Sequence, residues 1–303
     1  MMSTFRIGTR GSPLALAQAR MVATALRERH GWRAEQVEIV PITTTGDIVR
    51  DRPLAEVGGK GLWTKELDSC LLDRRTDMSV HSMKDVETIR PAELFIAAML
   101  PRASVCDRLI GASSLDQLPP GARVGTSSPR RSAQILSRRP DLVIVPIRGN
   151  VETRLKKLKA GEADATLLAA AGLDRLGYPA TGVLLDDFLP APAQGAIGIE
   201  VRADDRKMRA LVHGIDDAAT HACISAERKL LEGLGGSCHS PVAALARLEG
   251  DVIHLRAEIL TNDGRESETV DTSFPAADTE APLALARELL GRAAPALRAL
   301  FAG

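Results

Sequence analysis

The chain has 303 residues, 45% of them apolar and 26% charged, and its 39 basic and 39 acidic side chains leave no net charge. That length lets two or three domains each bury a core, and the neutral balance argues against a nucleic-acid binder. Aromatic residues reach only 3%, too few for a surface built on base stacking. The four cysteines contain no C-x-x-C pair and the six histidines no H-x-x-x-H, so no metal site is expected. Residues 1–6 carry no apolar signal core, and the longest apolar run, 165–173, is too short to span a bilayer. The expected location is therefore the cytoplasm, with no membrane partner.

Arg6-Ile7-Gly8-Thr9 reads as a strand. Arg10-Gly11 follows as a tight turn, with Ser12 as N-cap and Pro13 at the first position of a helix that carries Gln18. After Ile39-Val40-Pro41-Ile42 comes a stretch rich in Gly and charge, 46–61, a candidate lid. Its Gly58-Gly59-Lys60-Gly61 is not a P-loop, because Leu62 stands where Ser or Thr is required; it reads as a loop delivering Lys60 to an anion, or as a plain surface loop. A helix is expected near 64–72. Asp77-Met78-Ser79-Val80 then forms a short strand running into His81, Ser82, Lys84 and Asp85. A carboxylate beside an ammonium at a strand end suits proton handling or stabilisation of a cation, and a surface turn is the bland alternative.

The second hundred residues repeat this order. Arg123-Val124-Gly125-Thr126 leads through Ser127 to Ser128-Pro129 and a helix with Gln134; Ile144-Val145-Pro146-Ile147, a helix at 151–158 and Asp164-Ala165-Thr166-Leu167 follow. The bland reading of the echo is that any two βαβ units look alike; the sharper one is two lobes of one α/β plan, with a cleft between them. Helix N-termini opening after a strand attract anions, and both turns add donors: Arg10 and Ser12 in one, Ser127, Ser128, Arg130 and Arg131 in the other. Residues 123–159 hold ten basic side chains against two acidic ones. Lys156, Lys157 and Lys159 fit an exposed helix face, whereas Arg130, Arg131 and Arg148 fall at strand-to-helix junctions, where guanidinium forks favour carboxylate or phosphate.

A Pro/Gly-rich break at 189–196 precedes the apolar Ile197-Gly198-Ile199-Glu200-Val201. Further on, Ile253, Leu255, Ala257 and Ile259 alternate with polar residues as in a half-buried antiparallel strand, and a helix is expected at 282–300. This last part reads as a small α+β domain. Cys238 lies in its Gly-rich loop, Leu234-Gly235-Gly236-Ser237-Cys238-His239-Ser240-Pro241. An inert buried thiol is the commoner fate of a lone cysteine, but small neighbours suit an accessible nucleophile.

Taken together, Arg10-Gly11-Ser12-Pro13-Leu14-Ala15, Gly58 to Leu62, Val80-His81-Ser82-Met83-Lys84-Asp85-Val86, Gly125 to Arg131, Arg148-Gly149-Asn150-Val151 with Arg154-Leu155, Ala170-Ala171-Gly172-Leu173, Gln194-Gly195-Ala196 and Cys238 with Pro241 resemble the porphobilinogen deaminase (hydroxymethylbilane synthase) family over nearly the whole chain. The resemblance implies two lobes of the type II periplasmic-binding-protein plan with a central cleft, and a small α+β C-terminal domain. The implied divisions are 1–100 with 196–214, 101–195, and 215–303. It implies a transferase that condenses four porphobilinogen molecules, releasing ammonia, into hydroxymethylbilane on a dipyrromethane cofactor held by a thioether to Cys238. Asp85 matches the catalytic carboxylate. Arg10, Lys60, Lys84, Arg130, Arg131, Arg148 and Arg154 match positions that bind substrate and cofactor carboxylates. Ser12, Ser82, Thr126, Ser127 and Ser128 add neutral donors, and Gln18 and Gln194 line the cleft. A monomer is implied.

Three departures stand out: Ser237 where the family commonly has Gly, Glu87 where it often has Pro, and 102–108, which replaces a common R-E-D-P-R-D stretch and adds Cys106 as an oxidation-sensitive thiol. A non-catalytic two-lobed anion-binding module is the competing expectation; Asp85 and Cys238 discriminate, since a pure binder needs neither.

Overall fold

The structure, a computed structural model, describes residues 4–45, 63–237 and 239–301. In chain order its strands are β1 (Phe5–Arg10), β2 (Val37–Ile42), β3 (Met78–Ser82), β4 (Leu94–Met99), β5 (Asp107–Ile110), β6 (Arg123–Gly125), β7 (Val143–Val145), β8 (Ala165–Ala169), β9 (Val183–Leu185), β10 (Ile197–Arg202), β11 (Val242–Glu249), β12 (Val252–Leu260) and β13 (Ser267–Pro275). The α-helices are α1 (Pro13–His30), α2 (Lys65–Leu72), α3 (Pro129–Arg138), α4 (Val151–Lys159), α5 (Ala170–Arg175), α6 (Arg206–His213), α7 (Ala218–Gly233), α8 (Ala281–Arg292) and α9 (Pro295–Ala299). The candidate lid at 46–61 lies outside the described residues.

Among the described residues the strands form three sheets, ordered β2-β1-β3-β10-β4, β7-β6-β8-β5-β9 and β11-β12-β13. In each five-stranded sheet three strands pair in parallel, β2-β1-β3 in one and β7-β6-β8 in the other, and a further strand, β10 or β5, joins them antiparallel. This is the type II binding-protein plan, met twice. β10 returns to the first sheet after the second has been built, whereas β5 precedes the three parallel strands of its sheet in the chain. The chain divides into two compact units: Met1–Ala103 with Ala196–His221, and Ser104–Gly195 with Ala222–Gly303. The second holds both the other five-stranded sheet and the three-stranded α+β portion.

The echo seen in the sequence reaches individual hydrogen bonds. The Arg6 N–H donates to Asp77 Oδ2 at 2.8 Å, and the Asp77 N–H to the Arg6 carbonyl at 2.9 Å. Arg123 and Asp164 repeat both bonds, at 2.7 and 2.8 Å. Both helix starts also match the expectation. Ser12 Oγ accepts from the Ala15 N–H at 3.3 Å and Ser128 Oγ from the Arg131 N–H at 3.4 Å, with proline at the first helical position of each. α1 buries Gln18, Val22 and Leu26 at four-residue spacing, with Ala19 beside them, against the first sheet. Burying Val22 and Leu26 contributes about 2 kcal/mol each. The helix stops at Gly31, which takes φ 64, and its last turn carries Arg27, Arg29 and His30 against the negative end of the dipole.

In the α+β portion, Ile253, Leu255, Ala257 and Ile259 of β12 are buried together with Leu230, Leu234 and Leu289, as the alternation predicts. The helix expected over 282–300 is instead two helices. Ala294, which precedes Pro295, takes φ −58 and ψ 154, because a residue before proline is driven out of the helical region.

Candidate functional site

β3 is buried along Met78, Ser79, Val80 and His81, and it passes directly into a single 3₁₀ turn, Met83–Asp85. The strand ends there because the Met83 N–H donates to the Ala196 carbonyl at 3.1 Å while the Val86 N–H turns back to the Met83 carbonyl at 3.3 Å. Met83 is 1% exposed and lies against Gly198 of β10, where a Cβ would stand 2.1 Å from its sulfur. With Met83 and Val86 buried, the turn brings Lys84 and Asp85 to the half-buried surface.

Asp85 lines a small cavity of about 60 Å³ that opens to solvent, together with Arg10, Ser12, Gln18, Trp63, Thr64, His81 and Ser82. The Arg10 guanidinium lies 3.9 Å above the Trp63 ring, which holds a long cationic side chain in place. Ser82 Oγ is 2.8 Å from Nε2 and 3.0 Å from Oε1 of Gln18, so these two expected ligand contacts orient one another. The structure thus gathers Asp85, Arg10, Ser12, Gln18 and Ser82 at one cavity. Lys84 is on the same turn but does not line it. Lys60 and Cys238 lie outside the described residues.

Behind the cavity runs a buried charge cluster that sequence reading missed. His81 Nε2 is 3.1 Å from Glu200 Oε2. Glu200 also takes two hydrogen bonds from Arg90, at 2.8 and 2.9 Å. Arg90 donates further to Asp68 at 2.5 Å and Glu87 at 2.8 Å. Burial alone would raise the Glu200 carboxyl, but the hydrogen bonds and charges of His81 and Arg90 outweigh it and bring it down to about 2. Burial wins at Asp68, whose carboxyl is raised in spite of Arg90. No local motif announces this cluster; the only signal was an unexplained His81 and a Glu200 inside an apolar run.

In the second unit, Arg130 and Arg131 were expected to offer their guanidiniums to a ligand. They are 3% and 5% exposed, and both close on Asp107 of β5. Arg130 also donates to Gln134 and the Leu189 carbonyl, and Arg131 to the Leu167 carbonyl. A ligand would meet only the N–H groups left over. Burial opposes ionisation of Asp107, yet the charges of Arg130 and Arg131 hold its carboxyl far below the usual range. Gln194 belongs to the same cluster, donating to Asp107 at 2.9 Å and to the Val105 carbonyl at 2.6 Å.

The hydroxyls here have structural partners too. Thr126 Oγ1 accepts from the Ser128 N–H at 3.1 Å, and Ser127 donates to the Ile147 carbonyl at 3.1 Å. Arg148 and Arg154 are half-buried, the latter donating through Nε to the Gly149 carbonyl at 2.9 Å. Arg175, passed over in the sequence, is a further candidate. It donates to the Gly195 carbonyl at 2.7 Å, its Nε is buried with no hydrogen-bond partner among the described residues, and burial lowers its pKa with only Asp174 opposing.

The turns flanking Cys238 are tight. Ser240 Oγ accepts from the Ser237 N–H at 3.1 Å, and Ser237 Oγ accepts from the His239 N–H at 3.2 Å. The hydroxyl that distinguishes this chain from the commoner Gly is therefore used inside the loop.

Fold and site define an α/β protein that sets a carboxylate at a strand end beside cationic and hydroxyl donors. Residues 5–210 match the family model "Porphobilinogen deaminase, dipyromethane cofactor binding domain", and 221–291 match "Porphobilinogen deaminase, C-terminal domain". The chain belongs to the porphobilinogen deaminase family. It is 54% identical over 305 residues to a porphobilinogen deaminase of Sphingopyxis alaskensis, covering 98% of this chain and 96% of that one. With the Paracoccus denitrificans protein of that name it shares 51% over 294 residues, 95% and 94% of the two chains. Among solved structures, the Bordetella pertussis BvgS VFT2 domain is similar at 16% identity and TM-score 0.40, over 75% of this chain and 91% of that one, too loose a likeness to bear on function.

Proposed function

We propose that this chain is a transferase that joins four porphobilinogen molecules, with loss of four ammonia molecules, on a dipyrromethane group bound through a thioether at Cys238, and that one water then releases the linear tetrapyrrole hydroxymethylbilane and supplies its hydroxyl. The observation that carries the reading is the Asp85 carboxylate held at the end of β3 in a cavity with Arg10, Ser12 and Ser82, within a chain matched to the family over 5–210.

The side chains fit such a group. Its acetate and propionate arms need donors, which Arg10, Ser12 and Ser82 supply; its pyrrole N–H needs an acceptor, which Asp85 supplies. When bound, the dipyrromethane supplies the pyrrole carbon to which substrate is joined. The chemistry asked of Asp85 concerns the incoming porphobilinogen. Its aminomethyl nitrogen leaves as ammonia with the C–N bonding pair, and the positive charge left behind spreads onto the pyrrole ring. A carboxylate fixed beside the ring N–H stabilises that charge, a term commonly worth about 10²–10³ in rate. It also stands ready to take up the proton the ring must lose after joining. Thr126, Ser127, Ser128, Arg148, Arg154, Lys60, Lys84 and the free N–H groups of Arg130 and Arg131 complete the proposed set of carboxylate contacts, with Gln18 and Gln194 holding their neighbours in place. Three domains with the boundaries given above, a monomeric state and a cytoplasmic location belong to the same proposal.

Intact mass tests it. Purified protein should exceed its sequence mass by one dipyrromethane unit, and Cys238→Ser should lose the excess. Asp85→Ala should fold and keep almost no turnover. A fully active protein at its bare sequence mass, or an Asp85→Ala variant at normal rate, overturns the reading.

A further inference from the structure

The turn that carries Asp85 is held at both ends by different means. On the entry side Met83 fills the space left by Gly198, and the Val86 N–H closes the turn onto the Met83 carbonyl. On the exit side stands Glu87, two residues beyond Asp85. Glu87 Oε2 accepts from Arg90 Nη1 at 2.8 Å and from the Thr64 hydroxyl at 2.8 Å. Arg90 is itself clamped by both oxygens of Glu200 in β10 and by Asp68 in α2. The Glu87–Arg90 pair therefore spans the loop between them, in which Ile89 is exposed, and ties the end of the Asp85 turn to a strand and a helix of the first unit. Arg90 is 10% and Glu87 24% exposed at the side chain, so solvent screens the pair only in part.

We propose that Glu87, acting through Arg90, is a positioning residue that fixes the Asp85 carboxylate at its working place. The idea rests on the role given above to Asp85. A turn of three residues between two pinned ends has little freedom left, and a displacement of about 1 Å in a catalytic group can cost up to about a hundredfold in rate. Where the family often has Pro at this position, a ring limits the backbone covalently; here an ion pair does the same work from the side chain. Val86 takes φ −91 and ψ 133, the extended region that a residue before proline requires.

The test compares Glu87→Ala, Glu87→Gln and Glu87→Pro, made in the full-length, cofactor-loaded protein. Glu87→Ala is expected to lower kcat about tenfold with KM little changed, because ligand contacts stay while the carboxylate loosens. Its intact mass should still include the cofactor, and exchange of the Val86 amide should quicken. Glu87→Gln should fall between, and Glu87→Pro should recover kcat to within about twofold of the starting protein, since rigidity rather than charge is what the turn needs. A Glu87→Ala variant with unchanged kcat and Val86 exchange overturns the proposal. So does a Glu87→Pro variant that folds, carries cofactor and stays as slow as Glu87→Ala. A variant that melts early is read through amide exchange at Val86 against β1: equal loss at both sites means general destabilisation and also refutes it. Failure of the underlying function would appear earlier and separately, as unsubstituted protein with neither the added mass nor turnover.

Discussion

Asp107→Asn isolates what a buried carboxylate contributes to the second unit. Asp107 is 1% exposed, and among the described residues its carboxylate accepts from Arg131 at 2.7 and 3.1 Å, Arg130 at 2.7 Å and Gln194 at 2.9 Å. Asparagine keeps the shape but removes the charge and turns an amide N–H toward groups that can only donate. Two guanidiniums would then face each other with only the weaker charge of Glu258 nearby, and breaking a buried pair from one side costs about 3–5 kcal/mol. The chain supplies its own control. Arg123 and Asp164 form a like pair at 2.9 Å with both side chains 43% exposed, where water compensates the loss, so Asp164→Asn should be far milder.

A two-unit chain does not unfold in one step, so the assay is hydrogen exchange in urea, read at amides of α3 and β8 and compared between the two variants. The pH dependence has a definite sign. The folded Asp107 carboxyl sits well below its unfolded value, so its stabilisation is complete above about pH 4 and is lost as pH falls toward the folded value. The gap between Asp107→Asn and the unsubstituted protein should therefore narrow below about pH 4. If Asp107→Asn opens α3 no more readily than Asp164→Asn at neutral pH, the buried-cluster account is wrong.

Gly198→Ala places a methyl 2.1 Å from the sulfur and 2.9 Å from Cγ of Met83, so the side chain beneath the Asp85 turn must move. Turnover should fall about tenfold or more while exchange along β1 stays slow; normal kinetics would show that the turn tolerates a displaced Met83. Arg175→Met removes a buried guanidinium whose Nε has no hydrogen-bond partner among the described residues, and it should melt no lower than the starting protein. Its cofactor content by mass, or its KM, should nonetheless worsen if that donor meets a ligand carboxylate. A variant less stable but fully loaded, with unchanged KM, would make Arg175 structural.

Much of the architecture was legible because it is written in local patterns. Ser12-Pro13 and Ser128-Pro129 announce two helix starts, and the period-two burial of β12 announces a half-buried strand, since each depends on neighbours within a few residues. The repeated strand–turn–helix order gave the two lobes, and Asp85 could be picked out because it ends a strand beside Lys84. The fate of the arginines was not legible. Arg130 and Arg131 carry the same signal as Arg10, a cation at the start of a helix, yet they turn inward to Asp107 while Arg10 lies along a cavity over Trp63. What separates them is an acid from another strand, and pattern alone does not pair residues across a sheet.

The two antiparallel strands that join the parallel triplets show why. β5 carries Asp107 and β10 carries Glu200, each an almost fully buried carboxylate in an otherwise apolar or mixed strand. A buried carboxylate is tolerable only with partners at hydrogen-bond distance, and here these come from α3 in one unit and from His81 of β3 and Arg90 beyond the Asp85 turn in the other. In the first unit the partners lie 119 and 110 residues away, so neither side of the pair makes sense in its own neighbourhood. Inserting the returning strand thus does more than complete a sheet. Until β10 is in place, His81 lacks its carboxylate, Arg90 lacks its two-point clamp and Met83 lacks the notch at Gly198. The strand that closes the first sheet is therefore also the one that finishes the turn on which Asp85 is presented. A chain stopped before 196 should hold the elements of that turn without its geometry.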